Sequence, residues 1–192
     1  MSVQARLNNL AFSLLLIFTT YGCETEKVEK TNPLESKVDS LQNVIYCQEE
    51  ELQRIRGIID SLPLGPPLDT LIVSSKYGWR KRPLGGGWQM HSGVDYMATW
   101  FDTVYATGYG VVVKSGWNLG YGRQVRVEHL KGYESSYSHL HKLFVKKGDS
   151  IKKGQPLGRA GNSGVVTGAH LHYEVIRNNI KTNPIPYIRI QK

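Results

Sequence analysis

Three short segments, HSGVD at 91–95, YSHLH at 137–141 and HLHYE at 170–174, hold five of the chain's six histidines and one aspartate. Neutral imidazole nitrogen and carboxylate oxygen are ligand types that zinc takes in catalytic sites, where three protein ligands leave a fourth position for water. The pattern predicts a metal centre with hydrolytic chemistry. The competing reading, histidines that satisfy hydrogen bonds in a β core, accounts for any one of them but poorly for three coincident segments.

Spacing indicates how such ligands converge. His91 and Asp95 stand four apart, a helix-face spacing, yet Gly93 and the β-branched Val94 disfavour a helical turn and predict a strand-end turn instead. His170 and His172 flank a single residue, so on a strand both imidazoles point to one side and reach one centre. Glu174 faces the same way on that strand, either orienting a ligand histidine from behind or lying on the surface.

The run from VSSKYGWRKRP through MHSGVDYMA and YSHLH to GAHLHYEV, about residues 71–187, resembles the lysostaphin/LytM family of zinc metallopeptidases, which cut peptide bonds in bacterial peptidoglycan. The family's H-x-x-x-D, Y-x-H-L and G-x-H-L-H-[FY]-E patterns all occur, in order. The resemblance implies one zinc per chain with His91, Asp95 and His172 as ligands, and His139 and His170 as unligated catalytic histidines. Asn118 and Arg80 sit where the family often has a cleft asparagine and an arginine, implying substrate contacts. His141 replaces a common serine and is read as a bystander, and His129 as a structural histidine. Some members have lost zinc ligands and act as activators of other wall enzymes. No ligand is missing here, so a non-catalytic wall-binding scaffold or amidase activator is the alternative reading.

The ligand set also carries its chemistry without a family name. Zinc held by two neutral imidazoles and one carboxylate keeps net positive charge, can lower a bound water's pKa from about 15.7 towards roughly 7, and polarises a scissile carbonyl. The H-E-x-x-H helix, whose glutamate serves many metalloproteases as general base, is absent from the sequence. His139 and His170 then remain to move the proton, since an imidazole pKa near about 6.5 suits acid–base work close to neutrality. One takes the water's proton and the other hydrogen-bonds the oxyanion, and the sequence leaves open which.

The elements that must position these residues read as an all-β domain of antiparallel sheets forming an open groove. Segments 103–116, 123–130, 134–141 and 170–178 are rich in β-branched and aromatic residues with glycine punctuation, and 145–164 reads as short strands with glycine turns. Ahead of them, Leu34, Val38, Leu41, Ile45, Leu52, Ile55, Ile59 and Leu62 fall on four- and three-residue steps, with Gln48 as the polar seam position. This predicts a coiled-coil helix over 34–62, pairing with a second copy or a partner's helix, or folding back on the domain. PLGPP then predicts a helix stop and a stiff linker over 63–70, the domain over 71–187 and a tail at 188–192.

The apolar stretch at 10–18 is too short to span a membrane comfortably and predicts a signal segment over 1–22. Gly22–Cys23 resembles a bacterial lipobox, predicting lipidation at Cys23 and a tether over 23–33, although Thr20 and Tyr21 are unusual there. Cys47 is then left alone, and two cysteines make no disulfide framework. The expected location is the cell envelope, lipid-anchored at the outer membrane or in the periplasm. Residues 24–62 hold five Lys/Arg against nine Asp/Glu, whereas 68–192 hold 18 against seven. No recognition helix or RNA-binding signature accompanies the basic part, so nucleic acid is not the expected partner. The carboxylates of peptidoglycan stems are, with Arg80, Arg82 or Arg123 as their binders and the 82–89 loop closing one side of the groove. An exported lipoprotein of a two-membrane bacterium further implies a D,D-endopeptidase acting on a D-alanyl cross-link.

Overall fold

Strict alternation along the strand HLHYEVIR, β12 (His170–Arg177), sets the architecture: Leu171, Tyr173 and Val175 are fully buried in the core, while His170, His172 and Glu174 take the opposite face. The computed structural model describes residues 32–82 and 85–188. The expected signal segment 1–22, the expected lipid site at Cys23, most of the expected tether, the tail from 189 on, and Pro83 and Leu84 of the glycine-rich loop lie outside those residues.

The fold is mostly antiparallel β. Its strands are β1 (Val73–Ser75), β2 (Gly78–Lys81), β3 (Trp88–His91), β4 (Val94–Met97), β5 (Thr103–Tyr105), β6 (Gly110–Asn118) and β7 (Gly122–Glu128). There follow β8 (Tyr133–Leu140), β9 (Lys142–Leu143), β10 (Ser150–Ile151), β11 (Pro156–Arg159), β12 and β13 (Ile180–Thr182). The main sheet runs β1-β4-β12-β8-β7-β6-β10, with β4 against the first half of β12 and β13 against its second half. A three-stranded sheet β5-β11-β9 and the hairpin β2-β3 complete it. Val94 and Tyr96 of β4, Val125 and Val127 of β7 and Tyr137 of β8 join the β12 residues in one core.

The predicted strand over 103–116 is broken at 106–109. A Cβ on Gly108 would lie 2.3 Å from the Leu62 carbonyl oxygen, so only glycine lets the helix exit cross there, and Tyr109 N–H donates to the Asp60 carbonyl (2.7 Å).

A helix α1 (Pro33–Asp60) forms where the heptad pattern predicts one. Asn32 accepts from Leu34 N–H (3.1 Å) and Pro33 opens the first turn, the capping chemistry expected of those residue types. Its seam residues Leu34 to Ile59 are exposed. The chain divides into two units after Tyr46, so the last turns of α1 belong with the β domain. The segment expected as a linker differs from expectation. Pro63, Gly65, Pro67 and Leu68 are buried, Gly65 N–H donates to Thr107 O (2.7 Å) and Tyr105 N–H to Pro67 O (2.9 Å). Its prolines end the helix, but its apolar content packs it into the domain, which therefore begins before residue 71.

Candidate metal centre and groove

The β4–β12 register sets Asp95 directly opposite His172, and Ser138 of β8 flanks His172 on the other side. His91 ends β3, and the Ser92–Gly93 turn returns the chain into β4, as the glycine predicted. A Cβ on Gly93 would lie 2.4 Å from Tyr173 O and 2.9 Å from His172 Cε1, so a glycine is needed for the turn to lie against β12. Three donor atoms converge as a result: His91 Nε2 to Asp95 Oδ1 is 3.0 Å, His172 Nδ1 to Asp95 Oδ1 is 2.7 Å, and the two nitrogens are 3.1 Å apart. Zinc bonds of about 2.0–2.1 Å at tetrahedral angles separate ligand atoms by roughly 3.3 Å, close to these spacings.

The protons argue for a cation more strongly than the distances. His91 Nδ1–H donates to the Lys76 carbonyl (2.7 Å) and His172 Nε2–H to Glu174 Oε1 (3.2 Å). Each ring is thereby committed to one tautomer, and the remaining nitrogens face each other and a carboxylate oxygen with lone pairs only. Three buried acceptors without a donor among them fit a metal ion. Burial alone would raise the Asp95 carboxyl, but the adjacent imidazoles outweigh it and hold it below the usual carboxylate range. Burial opposes protonation of His172, yet Asp95 and Glu174 outweigh it and raise its basicity, so a proton competes with a cation for Nδ1. Arg80 Nη2 lies 3.3 Å from Asp95 Oδ2 and Nη1 donates to Ser75 Oγ (2.8 Å). Arg80 therefore braces a candidate ligand.

Two further histidines border the same groove of about 1100 Å³, which Arg80, Arg82, Tyr121 and Thr167 also line. His139 reaches it through a β-bulge. Between the pairs Arg123↔Leu140 and Val125↔Tyr137, β8 has two residues where β7 has one, and His139 adopts φ 65°. Regular alternation would send His139 towards the core with Tyr137. The bulge turns it to the side of His170 and His172, at ring-centroid distances of 4.8 and 5.8 Å. Its Nδ1–H donates to the Ser163 carbonyl (2.8 Å), leaving Nε2 as a proton acceptor. Burial drives its pKa down to about 4 against the opposing Ser163 bond, so the ring is neutral near pH 7. His170 Nδ1–H donates to the Gly168 carbonyl (2.9 Å), and its Nε2 lies 3.8 Å from Asp95 Oδ1.

Glu174 faces the site as the strand pattern predicts and is nearly inaccessible, at 2% exposure. Its Oε1 also accepts from Ser92 Oγ (2.5 Å), Lys181 Nζ (2.8 Å) and Tyr121 Oη (3.3 Å). Sequence reasoning missed Ser92, Tyr121 and Lys181. For Lys181 a signal existed. Asn178 and Asn179 both take positive φ (50° and 64°), as a two-residue type I′ hairpin turn requires, and an Asn-Asn pair between apolar strands predicts that turn. The turn pairs Ile176 with Lys181, which places the lysine on the face of Glu174.

Other expectations are placed differently. Asn118 Nδ2 donates to Gln124 Oε1 (2.7 Å), and Gln124 Nε2 donates to Ser136 and Ser138. Neither Asn118 nor Arg123 is among the described residues lining the groove, because the β6–β7 turn commits Asn118 to Gln124 and leaves the Arg123 side chain exposed. Arg82, also exposed, does line it. His141 is exposed and lies against Trp100, ring centroids 4.8 Å apart and planes tilted by 48°, apart from the three donors. His129 is buried between the Tyr109 carbonyl and Ser135 Oγ, both at 2.7 Å.

Residues 89–184, half the chain, match peptidase family M23. Peptidoglycan DD-endopeptidase ShyC of Vibrio cholerae is 42% identical over 122 residues, which make up 63% of this chain and 28% of that protein. This chain thus spans less than a third of the length of that relative. Among solved structures, a zinc-containing peptidase from Vibrio cholerae superposes with a TM-score of 0.58 at 35% identity, over 61% of this chain and 37% of that one. The catalytic domain of lysostaphin from Staphylococcus simulans gives a TM-score of 0.56 at 32% identity, over 61% of this chain and 91% of that one. The antiparallel groove fold is common to them. On the family match and the likeness to an almost completely covered catalytic domain, this chain belongs to peptidase family M23.

Proposed function

We propose that the chain is a zinc-dependent endopeptidase that hydrolyses peptide cross-links of bacterial peptidoglycan, with D,D specificity. The observation that carries the reading is the tautomer commitment of His91 and His172, which leaves two nitrogen lone pairs and an Asp95 oxygen facing one point. His91, Asp95 and His172 hold the metal, which when bound supplies an acidified water and an electrophile for the scissile carbonyl. His139 and His170, each anchored through Nδ1–H to a backbone carbonyl, share the proton work: one accepts the water's proton and one donates to the oxyanion.

Arg80 is engaged with Asp95, so Arg82 is the residue assigned to a stem carboxylate. The DD-endopeptidase name of the Vibrio relative supports the bond chosen. The cell envelope is the matching location. Lipidation at Cys23 would hold the protein to a membrane, and the exposed apolar seam of α1, with Gln48 as its polar position, suits a second copy or a partner's helix. Digestion of purified cross-linked peptidoglycan by the full chain tests the reading: dimeric muropeptides should become monomers with stems still on the sugar. Release of whole stems would identify an amidase, cleavage of pentaglycine alone would refute the bond assignment, and a zinc-loaded chain that cuts nothing would favour the scaffold alternative.

A further inference from the structure

We infer that Lys181 is a positioning residue for the metal centre, acting through Glu174 to keep the Nδ1 lone pair of His172 aimed at the cation; the inference rests on the zinc reading above. Glu174 carries the argument. A carboxylate at 2% exposure needs fixed hydrogen-bond donors in place of its lost hydration. Its Oε1 accepts from His172 Nε2–H (3.2 Å), and that bond holds the ring with Nδ1 turned to Asp95, 2.7 Å away. Lys181 Nζ, 2.8 Å from Glu174 Oε1, is the charged donor that holds that oxygen in place.

The geometry of the ammonium is that of a clamp. Its three N–H donors meet Glu174 Oε1 (2.8 Å), Tyr121 Oη (2.7 Å) and, more loosely, Ser92 Oγ (3.4 Å). Ser92 lies in the turn between His91 and Asp95, Tyr121 in the groove wall, and Glu174 two residues from His172. One side chain thus ties together the segments that carry all three candidate ligands. The Lys181 side chain is itself 39% exposed on β13 and outside the apolar core, so its role is separable from folding.

The test is a double-mutant cycle read as zinc affinity of the full chain, by competition with a chromophoric chelator, with folding checked by circular dichroism. Lys181→Met should raise the zinc Kd about tenfold, the lower end of what outer partners of metal ligands contribute. Lys181→Arg, which keeps the charge, should restore most of it. In a Glu174→Gln background Lys181→Met should change the Kd by less than about twofold, because the route of its action is gone. If Lys181→Met does not fold, Lys181→Gln takes its place in the same cycle. An unchanged Kd in the single variant, or an equal loss in both backgrounds, overturns the inference, since a merely structural lysine would lower stability without this coupling. A wild-type chain that binds no zinc overturns the metal reading and this inference with it.

Discussion

Gly93→Ala inserts a methyl group where the structure has no room for one. The added Cβ would stand 2.4 Å from Tyr173 O, 2.9 Å from His172 Cε1 and 3.0 Å from Glu174 Cγ, whereas ordinary contact begins near 3.4 Å. The first neighbour is strand backbone, held in the β4–β12 ladder at Val94↔Tyr173, so it cannot swing aside as a flexible side chain would. The turn and β12 must separate by about 1 Å, and overpacking of this kind costs about 1–3 kcal/mol. The same displacement moves His91 and Asp95 against His172. Ligand constellations tolerate about 0.5 Å of error, so zinc affinity should fall at least about tenfold. Urea unfolding of the chelator-treated protein reads the first effect and chelator competition the second. Gly86→Ala is the control: nothing lies within 4 Å of its added Cβ, and both quantities should stay at wild-type values. If Gly93→Ala unfolds and binds zinc as the wild type does, the close approach of the turn to β12 does not govern the site.

Two further outcomes follow from the site and the core. His91→Ala, Asp95→Ala and His172→Ala should each deplete zinc, while His139→Ala and His170→Ala should retain most of it and lose about 10²-fold or more in hydrolysis; equal zinc loss in all five, measured by metal analysis, would refute the division of roles. His129 is buried and its pKa lies below the usual histidine value of 6.5, burial outweighing the Tyr109 and Glu134 contributions. The folded state therefore resists the proton: stability is unaffected above pH 6.5, and falls as pH drops below it, by at most about 1.4 kcal/mol per pH unit, until the folded pKa is passed. Between pH 7 and 5 the wild type should lose more unfolding free energy than His129→Gln, and parallel curves would refute the assignment.

Much of the centre is legible in the linear chain because strand periodicity is local. The single-residue spacing of His170 and His172, the glycine in HSGVD and the parity of Glu174 each predict a face or a turn without reference to distant residues, and the structure has them so. The heptad pattern predicts α1 for the same reason, since a helix face is written every three or four residues.

What tertiary structure alone decided depends on register and on contacts between remote segments. Whether His139 points to the core or to the groove turns on one bulged residue against β7, and no strand period encodes a bulge. Arg80 and Asn118 look like substrate residues by position, yet Arg80 is given to Asp95 by the packing of the β2–β3 hairpin on the main sheet and Asn118 to Gln124 by the β6–β7 turn. The prolines after α1 read as a stiff linker, and only the neighbouring Thr107 and Tyr105 backbone groups show that the segment is paired within the domain. Sequence determined which residue types could bind a metal; the packing of β3, β4, β12 and β13 determined which lone pairs were left free to do so.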